Sequence, residues 1–292
     1  MNRLHLSANS QRHRSTTNLI ASGLMTQMII FFLITITFLG FNSCKKEKNE
    51  SGYQDSTLLM QVKSGDYTLE QLTYLGAGKV NDHVESFSYT KYSYNSQDQL
   101  IKLERAFSTN PLSCFMPSGS NGEIITDPRK AKVTQYSEYE YNNSGRLAKR
   151  SNYNLGSENF QLVSYLTYDY DNNLITKLNY YNPQGQLVQY EAYTYDSNNN
   201  VTRDDYYTVE AGANAQLHHY NSYEFDDKKN PYKVFAMEGT PGIFTNQNNI
   251  TKDIYVYVYN GTEYRNPTAY TYEYNLLGYP TKINGKNYVY GE

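Results

Sequence analysis

YSEYEYNNSGRLAK, residues 136–149, carries the pattern from which the architecture is read. Tyr136, Tyr139 and Tyr141 stand three and two places apart, and Asn142 follows at once. The same spacing recurs at Tyr89/Tyr92/Tyr94 with Asn95, Tyr165/Tyr168/Tyr170 with Asp171, Tyr190/Tyr193/Tyr195 with Asp196, and Tyr220/Tyr223/Phe225 with Asp226. A sixth copy, Tyr270/Tyr272/Tyr274 with Asn275, keeps the ending but has Ala269 in the first place. Behind each motif lies a turn rich in Asn, Asp and Gly, residues that tolerate left-handed backbone and bond their own turns. Then comes an apolar residue and, two places on, a basic one. The pairs are Leu100/Lys102, Leu147/Lys149, Ile175/Lys177, Val201/Arg203, Pro231/Lys233 and Pro280/Lys282. Strand, Asx-rich turn, strand is the signature of a β-hairpin. The expected fold is all-β: an extended, strongly twisted antiparallel sheet of hairpin repeats.

The last two aromatics of each motif share one face of a strand, because side chains alternate with period two. The first either points to the opposite face or is returned to the same face by a β-bulge between them. Pairing symmetric about the turn sets Tyr92 opposite Lys102 and Tyr139 opposite Lys149, a geometry that permits a cation–π contact of about 0.5–1 kcal/mol. Motif starts are 47, 29, 25, 30 and 49 residues apart. The inner spacings fit two to three short strands per repeat, and each outer one is longer by about twenty residues. The surplus locates insertions at residues 108–130 and 234–252, and long loops in a compact domain tend to be functional or disordered.

Upstream of the repeats, residues 1–43 hold Arg3, Arg12 and Arg14 and no acid, and an apolar run spans residues 28–39. A basic stretch, a short apolar core and the small Ser43 read as a secretory signal. The run is too short for a confident membrane-spanning helix, which needs about 20 apolar residues. Cys44 resembles the acylated cysteine of bacterial lipoproteins, with Phe41 and Asn42 giving the looser signal seen in Bacteroidota. The resemblance implies a lipid anchor at Cys44 in the bacterial cell envelope, at the outer membrane. The other reading is an ordinary signal peptide, after which Cys44 pairs with Cys114. Residues 44–56 are polar and suit a tether, leaving 57–292 as a single tyrosine-rich domain.

The formal net charge is −3, and removal of residues 1–43 with their three arginines makes it −6. That balance argues against nucleic acid, since phosphate binding wants a basic face. Thirty-three tyrosines supply the apolar area that a sparse set of aliphatic residues does not. The expectation is a folded domain with a largely phenolic core.

The search for chemistry yields no catalytic set. Beyond the signal the histidines are His83, His218 and His219. Adjacent histidines on a strand point to opposite faces, which makes His218 and His219 a poor metal pair. Gly76-Ala-Gly78 reads as a turn, since no helix pattern follows. Ser118 stands where a Gly-x-Ser-x-Gly elbow ending at Ser120 and Gly122 needs its first glycine. Asp169, Asp171 and Asn173 begin like a calcium loop, but Leu174 replaces the required Gly. Asp204, Asp205 and Glu85 are acids that nothing in the sequence holds together. No metal or cofactor is expected.

Tyr139-Glu-Tyr141-Asn142-Asn-Ser-Gly145-Arg146-Leu147 resembles the core of Rhs/YD repeats, as do Tyr168-Asp-Tyr170-Asp171 and Tyr193-Thr-Tyr195-Asp196. Asn230-Pro231-Tyr232-Lys233, Asn248-Asn249-Ile250 and residues 278–282 resemble a group of Bacteroidota lipoproteins with YD-like repeats. The resemblance implies a long, strongly curved antiparallel sheet and says little about activity. The function expected is a non-enzymatic, lipid-anchored envelope protein that acts as a binding or scaffold module. Its partners are the membrane through the anchor and a glycan or protein ligand, met by an insertion or by the concave face. The alternatives are a glycan-binding accessory lipoprotein and a hydrolase with an acidic site at Asp204 or Asp205.

Overall fold

A computed structural model describes residues 57–108, 127–210 and 212–291. The signal, Cys44, the tether and most of the first insertion with Cys114, Ser118, Ser120 and Gly122 lie outside the described residues. Seventeen strands form one open antiparallel sheet. They are β1 (Leu59–Ser64), β2 (Tyr67–Leu75), β3 (Lys79–Glu85), β4 (Ser88–Tyr94), β5 (Leu100–Phe107) and β6 (Val133–Tyr141). Next come β7 (Leu147–Leu155), β8 (Phe160–Asp171), β9 (Leu174–Tyr181), β10 (Leu187–Tyr195), β11 (Val201–Thr208) and β12 (Gln216–Phe225). The last are β13 (Ile250–Tyr259), β14 (Thr262–Ala269), β15 (Tyr272–Tyr274), β16 (Pro280–Ile283) and β17 (Lys286–Tyr290). Each strand from β1 to β13 pairs with the next, β15 to β17 form a second run, and β1 also pairs with β17. The two edges are therefore β14 and β15, neighbours in the chain. Tyr270 crosses between them, its N–H donating to the Thr251 carbonyl at 2.9 Å.

One turn closes most of the repeats. In Asn95–Gln99, Asn142–Arg146, Asn182–Gln186, Asp196–Asn200 and Asn275–Tyr279, the first side chain accepts from the amides two and four residues on. The fourth residue takes positive φ, as Asp98, Gly145, Gly185, Asn199 and Gly278, which is why Gly, Asn and Asp occupy it. Immediately after the turn one extra residue bulges from the return strand. Ile101, Ala148, Val188, Thr202 and Thr281 are those residues, and Thr176 bulges likewise after the shorter turn between Asp171 and Leu174.

This bulge settles the face of the first aromatic and corrects the hairpin register. Of the two placements open to the first aromatic, it takes the outer face, and the bulge sits on the partner strand rather than between the aromatics. The register also moves by one: Tyr92 lies opposite Leu103 and Ser93 opposite Lys102, while Tyr139 faces Arg150 and Glu140 faces Lys149. The cation–π contact expected within a hairpin is instead made between hairpins. Lys102, Lys149 and Lys177 place their ammonium 4.7, 5.2 and 3.9 Å from the rings of Tyr136, Tyr165 and Tyr190, and the Arg203 guanidinium lies 3.5 Å from Tyr220. Behind three of these rings a second tyrosine stacks, as Tyr136–Tyr153, Tyr165–Tyr181 and Tyr190–Tyr207.

The motif's last tyrosine has its own task. Backbone pairing between hairpins stops at the basic residue, for example at Lys102 opposite Glu138, two short of the first return-strand carbonyl. The phenol reaches that carbonyl: Tyr94 to Val80, Tyr141 to Leu100, Tyr170 to Leu147 and Tyr195 to Ile175, at 2.6–2.9 Å. Tyr74 and Tyr290 do the same for Leu59 and Pro280. A phenylalanine packs as well but cannot supply the donor, which accounts for tyrosine at this place. Most of the fully buried side chains are aliphatic, among them Leu59, Val62, Leu72, Val80, Leu100, Leu103, Leu166, Leu178 and Val201. Tyrosines surround this aliphatic spine, so the core is phenolic at its margin and not at its centre.

The second insertion turns inward. Pro231–Glu238 forms a 3-10 helix capped by Asn230, whose side chain accepts from the Tyr232 amide. Pro231 and Lys233 thus do not begin the fifth return strand; Ile250 and Lys252 do, opposite Phe225 and Glu224. The turn signature survives across the insertion, because the Asp226 amide donates to the Asn249 carbonyl and the Asp226 carboxylate accepts from the Asn249 amide. Phe235 is 2% exposed and packs against His83, Tyr92 and Phe244. Asn246, fully buried, accepts from the Val201 amide at 2.8 Å. The segment is a plug, and the sheet curls around it from β17 to β11.

Candidate functional site

Two columns of side chains point to the concave face in every repeat. One lies two places before the second motif tyrosine and reads Thr90, Ser137, Leu166, Glu191 and Asn221. The other directly follows the basic residue and reads Leu103, Arg150, Leu178, Asp204, Asp253 and Ile283. The charged members gather from β7 to β13. Here the face is only partly buried, with Tyr180, Gln189, Glu191, Asp204, Tyr206, Asn221, Tyr223 and Tyr255 all retaining solvent contact.

Glu191 on β10 and Asp204 on β11 are diagonal neighbours, since Glu191 faces Tyr206 and Tyr193 faces Asp204. Glu191 accepts hydrogen bonds from Tyr180 at 3.0 Å and from Tyr193. Asp204 accepts from Tyr223 at 2.6 Å and from the Asn221 side chain at 2.7 Å. Burial raises the pKa of both acids, and their mutual repulsion adds to the rise at Glu191. Tyr206 donates to Gln189 at 2.6 Å, and burial pushes its own pKa up to about 12.

The histidine pair departs from the alternation expected of a strand. β12 carries a bulge where Tyr206 faces His219 and Tyr207 faces Leu217, so His218 is the extra residue. Instead of opposing one another, His218 and His219 meet through their Nδ1 atoms at 2.9 Å. His219 stacks on Tyr206 at 4.5 Å, and burial, helped by the neighbouring His218, lowers its pKa to about 4. Among the described residues no three His, Cys, Asp or Glu side chains gather where they would hold a metal ion.

The other sequence candidates fall elsewhere. Asp205 points outward and binds Arg203 at 2.6 Å, while Glu85 accepts from Ser88, so neither joins Asp204. His83 lies against Phe235 and Glu70. Gly76–Gly78 is a one-turn 3-10 connection. Asp171 and Leu174 close a hairpin and Asp169 binds Asn179, which accounts for the calcium-like spacing.

At the boundary between plug and open stretch sits Arg150 on β7. Its Nη1 donates to the Glu238 carbonyl and to Thr240 Oγ1, both at 3.3 Å. The Glu238 carboxylate is engaged elsewhere, accepting from Tyr92 at 2.7 Å and lying 3.8 Å from Arg105. Arg150 Nε and the Tyr168 hydroxyl are buried without partners.

These features define an all-β hairpin-repeat protein with an internal plug and a polar, aromatic stretch of concave face. No protein-family model matches the chain. No curated protein matches it in sequence. Among solved structures, a porin-like protein from Bacteroides vulgatus is 12% identical at a TM-score of 0.46, covering 80% of this chain and 99% of that one. A porin-like protein from Bacteroides uniformis is 14% identical at a TM-score of 0.37, covering 80% and 97%. A Bacteroides fragilis protein of unknown function is 12% identical at 0.32, covering 46% and 91%. None of these likenesses carries a functional reading to this chain.

Proposed function

We propose that this chain is a non-enzymatic binding module of the bacterial cell envelope, lipid-anchored through Cys44, whose ligand is a glycan held on the open concave face. The observation that carries the reading is the division of that face. The plug covers the stretch from β17 to β8 and reaches β11 where Asn246 meets Val201, and from β10 to β13 the inward columns carry carboxylates, amides and tyrosine rings that keep partial solvent contact. Aromatic faces beside hydrogen-bonding acids and amides suit the alternating apolar and hydroxylated surfaces of sugars.

The outer face supports anchoring over spanning. It carries cross-strand ion pairs, Lys149–Glu140 at 3.1 Å, Lys252–Glu224 at 2.8 Å and Lys282–Glu273 at 3.1 Å. A lipid-facing barrel wall needs an outward apolar band, and each basic residue at the bilayer midplane costs about 2–4 kcal/mol. Among the described residues no helix is long and apolar enough to cross a membrane.

Hydrolysis is the second reading, because Glu191 and Asp204 stand near one another. Acid–base pairs work when their environments drive the two pKa values apart. Here both move upward and both acids are held by phenols, which favours binding. Calorimetry of the full-length, detergent-solubilised chain against a panel of oligosaccharides tests the reading, with Glu191→Gln as the control. Saturable binding weakened by that substitution is expected. Turnover of any bound sugar, lost in Asp204→Asn, would move the protein to the hydrolases. For the anchor, Cys44→Ser abolishes labelling by a clickable palmitate; persistent label refutes it.

A further inference from the structure

The plug and the open stretch meet at two buried groups left without partners. Tyr168 is 9% exposed and its hydroxyl bonds to nothing. It projects to the concave face on β8, diagonal to Arg150, which lies opposite Leu166. Arg150 Nε is likewise buried and unpaired. Among the described residues no carboxylate stands within ion-pair distance of Arg150, since Glu238 serves Tyr92 and Glu191 serves Tyr180 and Tyr193. A guanidinium keeps its charge inside a protein, and an uncompensated buried charge is costly. Two orphaned donors, one of them cationic, where the plug's edge meets the polar inward row describe a seat for an anionic acceptor.

The rest of the face specifies what the anion is attached to. Beyond Arg150 the inward groups are Tyr180, Glu191, Asp204 and Asn221, all able to exchange hydrogen bonds with hydroxyls. Phosphate alone would use the first seat and leave that row idle. A carboxylate on a polyhydroxylated ring uses both.

We propose that the open concave face takes an acidic saccharide, its carboxylate against Arg150 and Tyr168 and its hydroxyls along Glu191, Asp204 and Asn221. This rests on the binding function proposed above and assigns the ligand's chemical class. The test is calorimetry of the full-length chain with trigalacturonate and with neutral galactotriose. Trigalacturonate binds at least ten-fold tighter, and Arg150→Lys, which keeps charge but loses the planar fork, removes most of that preference. Because Arg150 is buried, a second variant guards the result. Tyr168→Phe deletes a hydroxyl that bonds to nothing in the free protein, so its unfolding midpoint stays at or above that of the parent. Its affinity for trigalacturonate nevertheless falls several-fold. Equal binding of the two sugars, or an unchanged affinity in Tyr168→Phe, overturns the acidic class while leaving the binding module in place. Failure of both sugars to bind a chain with an intact near-ultraviolet tyrosine spectrum overturns the class and counts against the glycan reading as well.

Discussion

The plugged and open stretches of the concave face are built from one repeat, yet they differ in what lies against them. Between β2 and β5, inward positions hold Leu72, Val80, Leu100 and Leu103, and Phe235 of the plug closes over them. Between β10 and β13 the two inward columns hold Glu191, Asp204, Asn221 and Asp253, while Val201 keeps the apolar place that Leu100 has in the plugged stretch. The outer face does not register the change, since the lysine–tyrosine contacts continue from Lys102 to Arg203. Backbone, turns and outer face are thus set by the repeat, and the inward columns are left free to follow whatever lies against them. An insertion in one hairpin turn made half the face a core and left the other half available.

The largest effects are expected where that insertion anchors. Phe235→Ala removes a ring that is 2% exposed, and such truncations cost about 3–5 kcal/mol. Tyr255→Ala, in the open stretch, is expected to cost about 1 kcal/mol. Urea midpoints measured on both variants decide the matter, and equal losses would break the distinction between the stretches. Gly239→Ala probes the same contact from the plug side. Gly239 has φ +71°, and a Cβ there would collide with Leu147. Strain and overpacking together predict a loss of about 2–3 kcal/mol.

Next in size is the phenol-to-carbonyl bond, which is common to both stretches. Tyr141→Phe and Tyr195→Phe each leave a return-strand carbonyl without its donor, at a cost of about 1–3 kcal/mol. The losses are expected to match, because the capped carbonyls of Leu100 and Ile175 occupy equivalent places. A much smaller loss in Tyr195→Phe would show that the open stretch relaxes where the plugged one cannot.

Titration separates the groups by sign. Burial pushes Tyr141 and Tyr170 up to about 12. A raised phenol stabilises the fold fully below its unfolded value near 10, and the gain is lost as pH climbs from about 10 to about 12. His219 behaves in the opposite sense, with its pKa lowered to about 4. Its contribution is present above about 6.5 and disappears as pH falls toward 4. Glu191 and Asp204 are raised, so their ionisation opposes folding at neutral pH. Glu191→Gln is therefore expected to raise the urea midpoint at pH 7 and to leave it unchanged well below the carboxylate range. A lowered midpoint at pH 7 would mean that the acid is held by charge and not merely tolerated.

Much of this was legible in the sequence. The hairpins, their Asx turns, the outward placement of one aromatic and the fold class follow from the spacing of residues such as Tyr136, Tyr139, Tyr141 and Asn142. The bulge was not, because Ile101 and Ala148 look like ordinary strand residues, and one extra residue is enough to move Lys102 from Tyr92 to Tyr136. Nor was the plug, since Pro231 and Lys233 imitate the apolar–basic pair of a return strand while Asn249 and Ile250 resume the true one. Glu191 and Arg150 could have been found by reading down the inward columns, where each stands out among shorter or apolar neighbours. That they border the edge of the plug depends on where a distant insertion packs, which no local pattern encodes.

The smallest expected effect tests whether the outer face is as uniform as the repeat implies. Lys102 lies 4.7 Å from the Tyr136 ring in the plugged stretch, and Lys177 lies 3.9 Å from Tyr190 at the edge of the open one. Replacing either lysine by methionine keeps the aliphatic stem over the ring and removes only the charge. Exposed cation–π contacts contribute about 0.5–1 kcal/mol, and a double-mutant cycle with the matching Tyr→Leu change isolates that part. Similar coupling energies in the two cycles show hairpin-to-hairpin contacts indifferent to what lies on the other side of the sheet. A coupling at Lys177 that vanishes while the one at Lys102 survives would mean that the plug stiffens the outer face through the sheet, and that the concave and outer faces are not independent after all.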